Sequence, residues 1–422
     1  MRPPLYWERM KFQENFVRNW KQMYRGLLTL VIAMFLFIVL YTMYNDHSAS
    51  PLQCARPGPP SHSGTPAACS PRWNLLFLKT HKTGSSTILN ILLRFAERRG
   101  LSVALPAGGR HDFAYPNPFS HRAVAGFTPD SCFNLVASHM RFEPGEVSRL
   151  QPPERVYFTI LRHPARLFES SFRYFGPSVP LTWVIPGPNK MATFLRHPWT
   201  YYRPNAYNAH YLRNLQFFDL GYNKDMDPNH SALPGIFRAL EDHFPLVMLT
   251  EYFDESMVLL KELLCWELDD VVYFRLNARD PDDRPPLDPA LEELALSWNE
   301  LDSLLYAHFN RTFWRKVEAF GRRRMAWEVA QLRWANSKMA EACLEGRGPV
   351  RAGLVREASL KPWQPAGGRG NILGYNLRPD IEEAHRDLCV AMLTPEMQYL
   401  SRMGASLWRV KAWSALRGIL GL

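Results

Sequence analysis

The stretch Asn74-Leu75-Leu76-Phe77-Leu78-Lys79-Thr80-His81-Lys82-Thr83-Gly84-Ser85-Ser86-Thr87 decides the fold of this 422-residue chain. Four apolar residues run into a short loop of Lys, Thr, Gly and Ser, and a helix-compatible segment, 88–99, follows. That order predicts strand, anion-binding loop, helix. The loop supplies backbone N–H groups at a helix N-terminus, three hydroxyls (Ser85, Ser86, Thr87) and the Lys82 ammonium, a set suited to phosphate or sulfate. A Ser/Thr-rich helix start accounts for the same hydroxyls without any ligand. The order Lys82-Thr83-Gly84-Ser85, with no earlier glycine, does not fit Gly-x-x-x-x-Gly-Lys-Ser/Thr and argues against a nucleoside triphosphatase.

A second stretch repeats the plan. Val156-Tyr157-Phe158-Thr159-Ile160-Leu161 reads as a buried strand that delivers Arg162 to its end, and Pro164 opens a helix over 165–174. Ser170 falls two helical turns beyond Arg162, so both side chains can address one anion, the arginine through a forked contact. Taken alone, an arginine paired with a surface carboxylate explains this motif equally well. Two anion sites at the ends of two strands suit a nucleotide charged at both its 5′ and 3′ positions.

Further apolar runs at 133–137 and 246–250 lack alternation and are interleaved with helix-like segments, which predicts an α/β fold with a central parallel sheet flanked by helices. Residues 289–342 are helix-like, with a break expected near Asn310. Residues 73–422 are read as one domain.

The N-terminal part is different. Residues 26–44 form an uncharged apolar run long enough for one bilayer crossing, preceded by Arg2, Arg9, Lys11, Arg18, Lys21 and Arg25 against only Glu8 and Glu14. The positive-inside rule then predicts a cytosolic tail (1–25), a transmembrane signal anchor (26–44) and everything else across the membrane. The run exceeds the apolar core of a usual cleaved signal peptide. Residues 45–72 hold Pro51, Pro57, Pro59, Pro60, Pro66 and Pro71 and read as a luminal stem. The layout is that of a single-pass type II Golgi enzyme. The six cysteines would then lie in an oxidising lumen; a Cys54–Cys69 bridge in the stem and a Cys343–Cys389 staple are the pairings considered, though spacing alone does not determine connectivity. Asn229-His230-Ser231 and Asn310-Arg311-Thr312 are glycosylation sequons. The formal charge of +10 is spread along the chain with no nucleic-acid module, and fits an anionic small molecule or an anionic lipid surface as well as it fits a generally basic exterior.

These two motifs resemble those of sulfotransferases that use 3′-phosphoadenosine 5′-phosphosulfate (PAPS). Phe77-Leu78-Lys79-Thr80-His81-Lys82-Thr83 is similar to the galactose 3-O-sulfotransferase family in particular. So are Ser138-His139-Met140-Arg141-Phe142, Leu167-Phe168-Glu169-Ser170-Ser171-Phe172, Asn208-Ala209-His210-Tyr211-Leu212-Arg213-Asn214-Leu215, Glu251-Tyr252-Phe253-Asp254-Glu255-Ser256 and Leu373-Gly374-Tyr375-Asn376-Leu377. Val179-Pro180-Leu181-Thr182-Trp183 and Leu263-Leu264-Cys265-Trp266-Glu267-Leu268 resemble its glycolipid-sulfating branch. His163 departs from the family pattern, which usually has Asp there.

The resemblance covers nearly all the chain beyond residue 73. It implies a P-loop-like sulfotransferase fold and transfer of a sulfuryl group from PAPS to the 3-hydroxyl of a terminal β-galactose on a glycolipid or a glycan, without a metal, in a chain free to form homo-oligomers. Lys82 is the expected clamp on the leaving phosphate, with Thr83, Gly84, Ser85, Ser86 and Thr87 on the 5′ side of the donor and Arg162 and Ser170 on its 3′-phosphate. A base must take the hydroxyl proton, and histidine titrates in the right range. His139 is the first candidate and His81 the second. His210, Tyr211, Arg213 and Asn214 offer sugar-binding chemistry. Residues 369–375 are expected to close over the nucleotide. The basic, Trp-bearing tail 407–420 reads either as an interfacial helix near a glycolipid headgroup or as a helix docked on the domain.

Two other classes share this layout. A metal-dependent glycosyltransferase would use Asp225-Met226-Asp227 or Asp280-Pro281-Asp282, neither of which follows a convincing strand. A membrane-tethered lectin would bind galactosides with no donor at Lys82 and Arg162.

Overall fold

The computed structural model describes Cys54 and residues 69–283, 287–364 and 372–412, together with Gly26 and Thr29. Most of the proposed anchor, most of the proposed stem, the end of the tail (413–420) and residues 369–371 lie outside the described residues. Among the described residues no helix is long and apolar enough to cross a membrane.

The chain first forms β1 (Leu75–Leu78), then α1 (Ser85–Arg98), β2 (Leu135–Val136), β3 (Val156–Leu161), α2 (Pro164–Phe175) and β4 (Leu246–Leu249). The four strands make one sheet in the order β2-β1-β3-β4, with every neighbouring pair parallel. Leu75, Leu76, Phe77 and Leu78 are all buried, because both faces of β1 are covered. A strand with no solvent face has no reason to alternate, which is why these runs are uniformly apolar. Helix α1 is buried on nearly every side. Ile88, Ile91, Leu92 and Phe95 lie in the main core, and on another side Asn90 donates to the Ala391 carbonyl at 2.8 Å.

Two apolar runs are shorter as strands than the sequence suggested. Only Leu135 and Val136 of 133–137 pair with β1. At the other site the chain turns into a 3-10 helix at Thr250–Tyr252 after β4. The sheet is followed by α3 (Phe253–Leu264), and the long helical region divides into α4 (Pro289–Trp298), α5 (Glu300–Phe320) and α6 (Arg322–Cys343). The expected break at Asn310 is therefore misplaced: Asn310 is inside α5, and the breaks fall at Asn299 and at Gly321, whose φ of +96° suits glycine. Two further helices are α7 (Glu383–Leu393) and α8 (Glu396–Arg402), and residues 408–412 are again helical.

The six cysteines form three disulfides, Cys54–Cys132, Cys69–Cys265 and Cys343–Cys389. A Cys54–Cys69 bridge within the stem is thus excluded; each of these cysteines ties the segment before β1 to a distant part of the domain. The beginning of the tail docks on the domain. Leu407 is buried in the main core, and the Trp408 indole lies so close to Gly109 that a Cβ there would sit 2.5 Å from the ring.

Strand order places the site. β2 lies on one side of β1 and β3 on the other, so the order in which strands are added across the sheet reverses between β1 and β3, and the loops leaving their C-terminal ends diverge there. Ligands of open parallel sheets bind in that crevice.

Candidate active site

A cavity of about 1650 Å³ opens beyond the C-terminal ends of β1 and β3, and both sequence motifs line it through Lys82, Gly84, Ser85, Arg162 and Ser170. The loop 79–84 is held to the sheet by its hydroxyls. Thr80 Oγ1 donates to the Ile160 carbonyl at 2.5 Å, and Ser85 Oγ donates back to the Thr80 carbonyl at 2.7 Å. Thr250, just past β4, donates to the carbonyls of Thr83 (2.7 Å) and Leu161 (3.0 Å). Left-handed backbone at Lys82 (φ +58°) and Gly84 (φ +77°) folds the loop back over the N-terminus of α1. That terminus has no side-chain cap and no acidic residue in its first turn, which suits an anion, and the Thr87 N–H donates to the Gly84 carbonyl at 3.1 Å.

Not every expected donor ligand faces the cavity. Thr83 is fully buried and its hydroxyl is engaged with Thr80, at 2.9 Å from Oγ1 and 3.2 Å from the carbonyl, so its side chain supports the loop instead of addressing a ligand. Ser86 and Thr87 line the cavity, but Ser86 Oγ donates to Glu396 Oε2 at 2.8 Å and Thr87 Oγ1 accepts from the Leu276 N–H at 3.0 Å.

Positive charge converges here. The Lys82 ammonium lies 3.5 Å from the centre of the Tyr174 ring. Removal from water, and then the neighbouring charges of Arg162, Lys79 and Arg279, hold its pKa down to about 7, against the single opposing carboxylate of Glu169. Arg162 Nη1 donates to the Lys82 carbonyl at 2.9 Å, and Arg279 Nη2 contacts both Glu169 carboxylate oxygens at 2.9 and 3.0 Å. A lysine whose proton is this easily lost is short of counter-charge, and an anionic ligand would supply it.

Beside the cations stand two histidines. The rings of His81 and His139 stack at 3.9 Å with 7° between their planes. His139 Nδ1 donates to the Lys79 carbonyl at 2.8 Å, which leaves the Nε2 lone pair to accept from Lys79 Nζ at 2.7 Å. Burial, then the charges of His81 and Lys79, push the His139 pKa well below its ordinary value. His81 is held differently. Its Nδ1 donates to buried Asp219, at 3.0 Å from Oδ2, and its backbone N–H reaches the same oxygen at 2.8 Å. Tyr115 OH donates to Asp219 Oδ1 at 2.8 Å. A carboxylate that accepts from Nδ1–H leaves the lone pair on Nε2, the tautomer a base needs.

Of the expected acceptor residues, the structure separates two from two. His210 and Tyr211 line the cavity. His210 is buried with no hydrogen-bond partner for Nε2, and burial, then His81, lowers its pKa to about 3. Tyr211 stacks on Phe175 at 3.8 Å. Arg213 and Asn214, by contrast, are structural. Arg213 lies between Trp199 and Trp298 and pairs with Asp225 at 3.2 Å. Asn214 has left-handed backbone (φ +44°) and donates to the Lys224 carbonyl at 2.7 Å. The Asp-x-Asp stretches are similarly engaged, since Asp225 meets Lys224 at 2.5 Å and Asp280 meets Arg351 at 3.0 Å. Of the sequons, Asn229 is exposed on a turn, whereas Asn310 lies mid-helix with its amide oxygen buried.

Sequence reasoning passed over Lys79, Asp219, Arg279 and Glu396. Lys79 stood inside the decisive motif but reads as the polar end of a strand. The others are distant in the chain and carry no local signal. Ile372 to Tyr375, the described part of the expected covering loop, do line the cavity.

Comparison with known proteins agrees with this architecture. The family model for galactose-3-O-sulfotransferase matches residues 10–407. The chain is 48% identical over 417 residues to galactosylceramide sulfotransferase of Bos taurus, covering 96% of this chain and 98% of that protein. It is 52% identical over 358 residues to the Mus musculus protein of the same name (85% and 84% covered), and 42% identical over 354 residues to galactose-3-O-sulfotransferase 3 of Mus musculus (83% and 80% covered). With its cation cradle and histidine pair at the sheet's switch point, the chain belongs to the galactose-3-O-sulfotransferase family.

Proposed function

We propose that this enzyme moves the sulfuryl group of PAPS to the 3-hydroxyl of a terminal β-galactose, with galactosylceramide and related glycolipids as acceptors. The observation that carries the reading is the convergence of Lys82, Arg162 and Arg279 on a cavity that also holds a carboxylate-bound histidine. PAPS supplies the electrophilic sulfur and a bisphosphate leaving group. Lys82 and the N-terminus of α1 take the 5′ side, where Lys82 stabilises negative charge as it develops. Arg162 and Ser170 take the 3′-phosphate. His210 and Tyr211 face the sugar.

For the proton we assign His81 ahead of His139. Its Nε2 carries the lone pair, and the Asp219 carboxylate stabilises the imidazolium that forms when the sugar hydroxyl gives up its proton. His139 has its lone pair on the Lys79 ammonium and a depressed affinity for protons, which suit a role in holding Lys79 and the His81 ring. Acceptor choice rests on similarity to the galactosylceramide sulfotransferases.

We further infer that residues 26–44 anchor the enzyme in the Golgi membrane as a single-pass type II protein, with 1–25 cytosolic, 45–72 a stem and 73–422 luminal. The apolar run with its basic flank supports this, as do three disulfides, which persist in an oxidising compartment.

The test is incubation of the purified full chain with sulfur-labelled PAPS and galactosylceramide, its 3-O-methylgalactosyl derivative, or galactose-terminated protein glycans. Label on galactosylceramide and none on the methylated lipid is the expected result. Label on the methylated lipid would overturn the 3-hydroxyl assignment, and label on protein glycans alone would overturn the glycolipid assignment.

A further inference from the structure

The segment after α2 presents apolar side chains to water at the opening of the cavity. No residue from Phe175 to Asn189 is charged. Within this strap, Val179 and Ile185 are buried in a core cluster with Phe168 and Phe194. Trp183 and Val184 point the other way and are 62% and 73% exposed. Tyr207, from a separate loop, is 74% exposed. Trp183 and Tyr207 also line the active-site cavity. A side chain that both lines a cavity and is mostly exposed stands at its mouth.

This exposure is built in. The Trp183 indole N–H donates to the Pro177 carbonyl at 3.0 Å, and Lys190 Nζ donates to the carbonyls of Thr182 and Trp183 at 3.0 and 3.2 Å. Asn208 Nδ2 donates to the Ser178 carbonyl at 2.9 Å, which joins the Tyr207 loop to the strap. The backbone is thus braced to hold Trp183 outward, where single exposed apolar residues on loose turns would need no explanation.

We propose that Trp183, Val184 and Tyr207 form a docking surface for the bilayer interface that carries the glycolipid acceptor, so that the galactose enters the cavity while the lipid chains remain in the membrane. The proposal rests on the glycolipid reading above and adds the surface that distinguishes a membrane-borne galactoside from a soluble one. Trp and Tyr suit this place because an apolar ring and a polar edge match the headgroup boundary. The charge-free strap avoids the cost of desolvating ions there. Continuity with the cavity wall favours this occupant, because a glycolipid whose sugar is inside the cavity brings its bilayer to these rings.

The experiment compares the full-length wild type with Trp183→Ala, Tyr207→Ala, the double variant and Trp183→Phe. Each is assayed on galactosylceramide in phosphatidylcholine vesicles and on lactose in solution. For the double variant kcat/KM on vesicles should fall roughly tenfold or more, the scale of losing one large buried apolar contact, while kcat/KM on lactose stays within about twofold and Trp183→Phe retains most vesicle activity. Equal losses on both acceptors, or no loss on vesicles, would overturn the docking surface and leave the glycolipid reading intact. A wild type that sulfates lactose but not vesicle-borne galactosylceramide would instead overturn the glycolipid reading, and the docking surface with it.

Discussion

At the scale of single residues, the reactive centre is governed by which groups already have partners. His81 and His139 are stacked, yet Asp219 orients one and Lys79 occupies the other. His81→Ala should lower kcat by about 10²–10⁴ while calorimetric affinity for adenosine 3′,5′-bisphosphate persists, and His139→Ala should cost less. The reverse ranking in kcat would hand the base role to His139. Asp219→Asn should lower kcat with little change in KM, because an amide can donate to Nδ1 and stabilise the wrong tautomer. Lys82 makes a pH prediction. Its ammonium form loses its proton near pH 7 in the empty enzyme, and a polyanionic ligand favours the protonated form. The Lys82 contribution to affinity for the bisphosphate should therefore weaken as pH rises above about 7. Lys82→Arg, which stays charged, should remove that slope in a calorimetric titration; a slope unchanged by the substitution would exonerate Lys82.

At the scale of elements, the donor loop is short and owes its shape to neighbours that arrive late in the chain. The start of α8 places Glu396 against Ser86 and 3.1 Å from Lys79 Nζ. Burial works to raise the Glu396 pKa, but Lys79 and the Ser86 hydroxyl outweigh it and hold the carboxyl below its usual range. Glu396→Gln removes the carboxylate paired with the buried Lys79, and stability should drop on the order of 2–4 kcal/mol, read as a lower denaturant midpoint with unchanged slope. A midpoint unaltered by the substitution would mean that Lys79 finds its compensation elsewhere. The strands and the helices flanking β1 and β3 were legible beforehand because a parallel strand buried on both faces has a composition of its own. Helix breaks were less so. Asn310 has the look of a breaker, but its position inside α5 is decided by packing, while Asn299 ends α4 with its side-chain amide donating to the Ala295 carbonyl at 2.8 Å.

At the scale of the molecule, long-range covalent links bind the segment before β1 to the body. Cys69–Cys265 closes a separation of 196 residues and Cys54–Cys132 one of 78. Replacing both Cys69 and Cys265 by Ser should destabilise the fold by roughly 2–5 kcal/mol through the freedom returned to the unfolded chain, measurable as a lower thermal midpoint in non-reducing buffer. A midpoint equal to that of the parent would show the bridge to be dispensable.

The sequence by itself determined the parallel α/β class and singled out Lys82, Arg162 and the two histidines, which the fold brings to one cavity, because each is written in contiguous residues whose spacing reflects one strand, one loop or one helix. Only the tertiary structure decided that Asp219 supports His81, that Glu396 and Lys79 form the cavity floor, that Arg213 and Asn214 brace the fold instead of the sugar, and which cysteines join. Those relations depend on packing between segments separated by 10 residues to more than 310, where the free energy of contact belongs to the pair and neither member announces it alone.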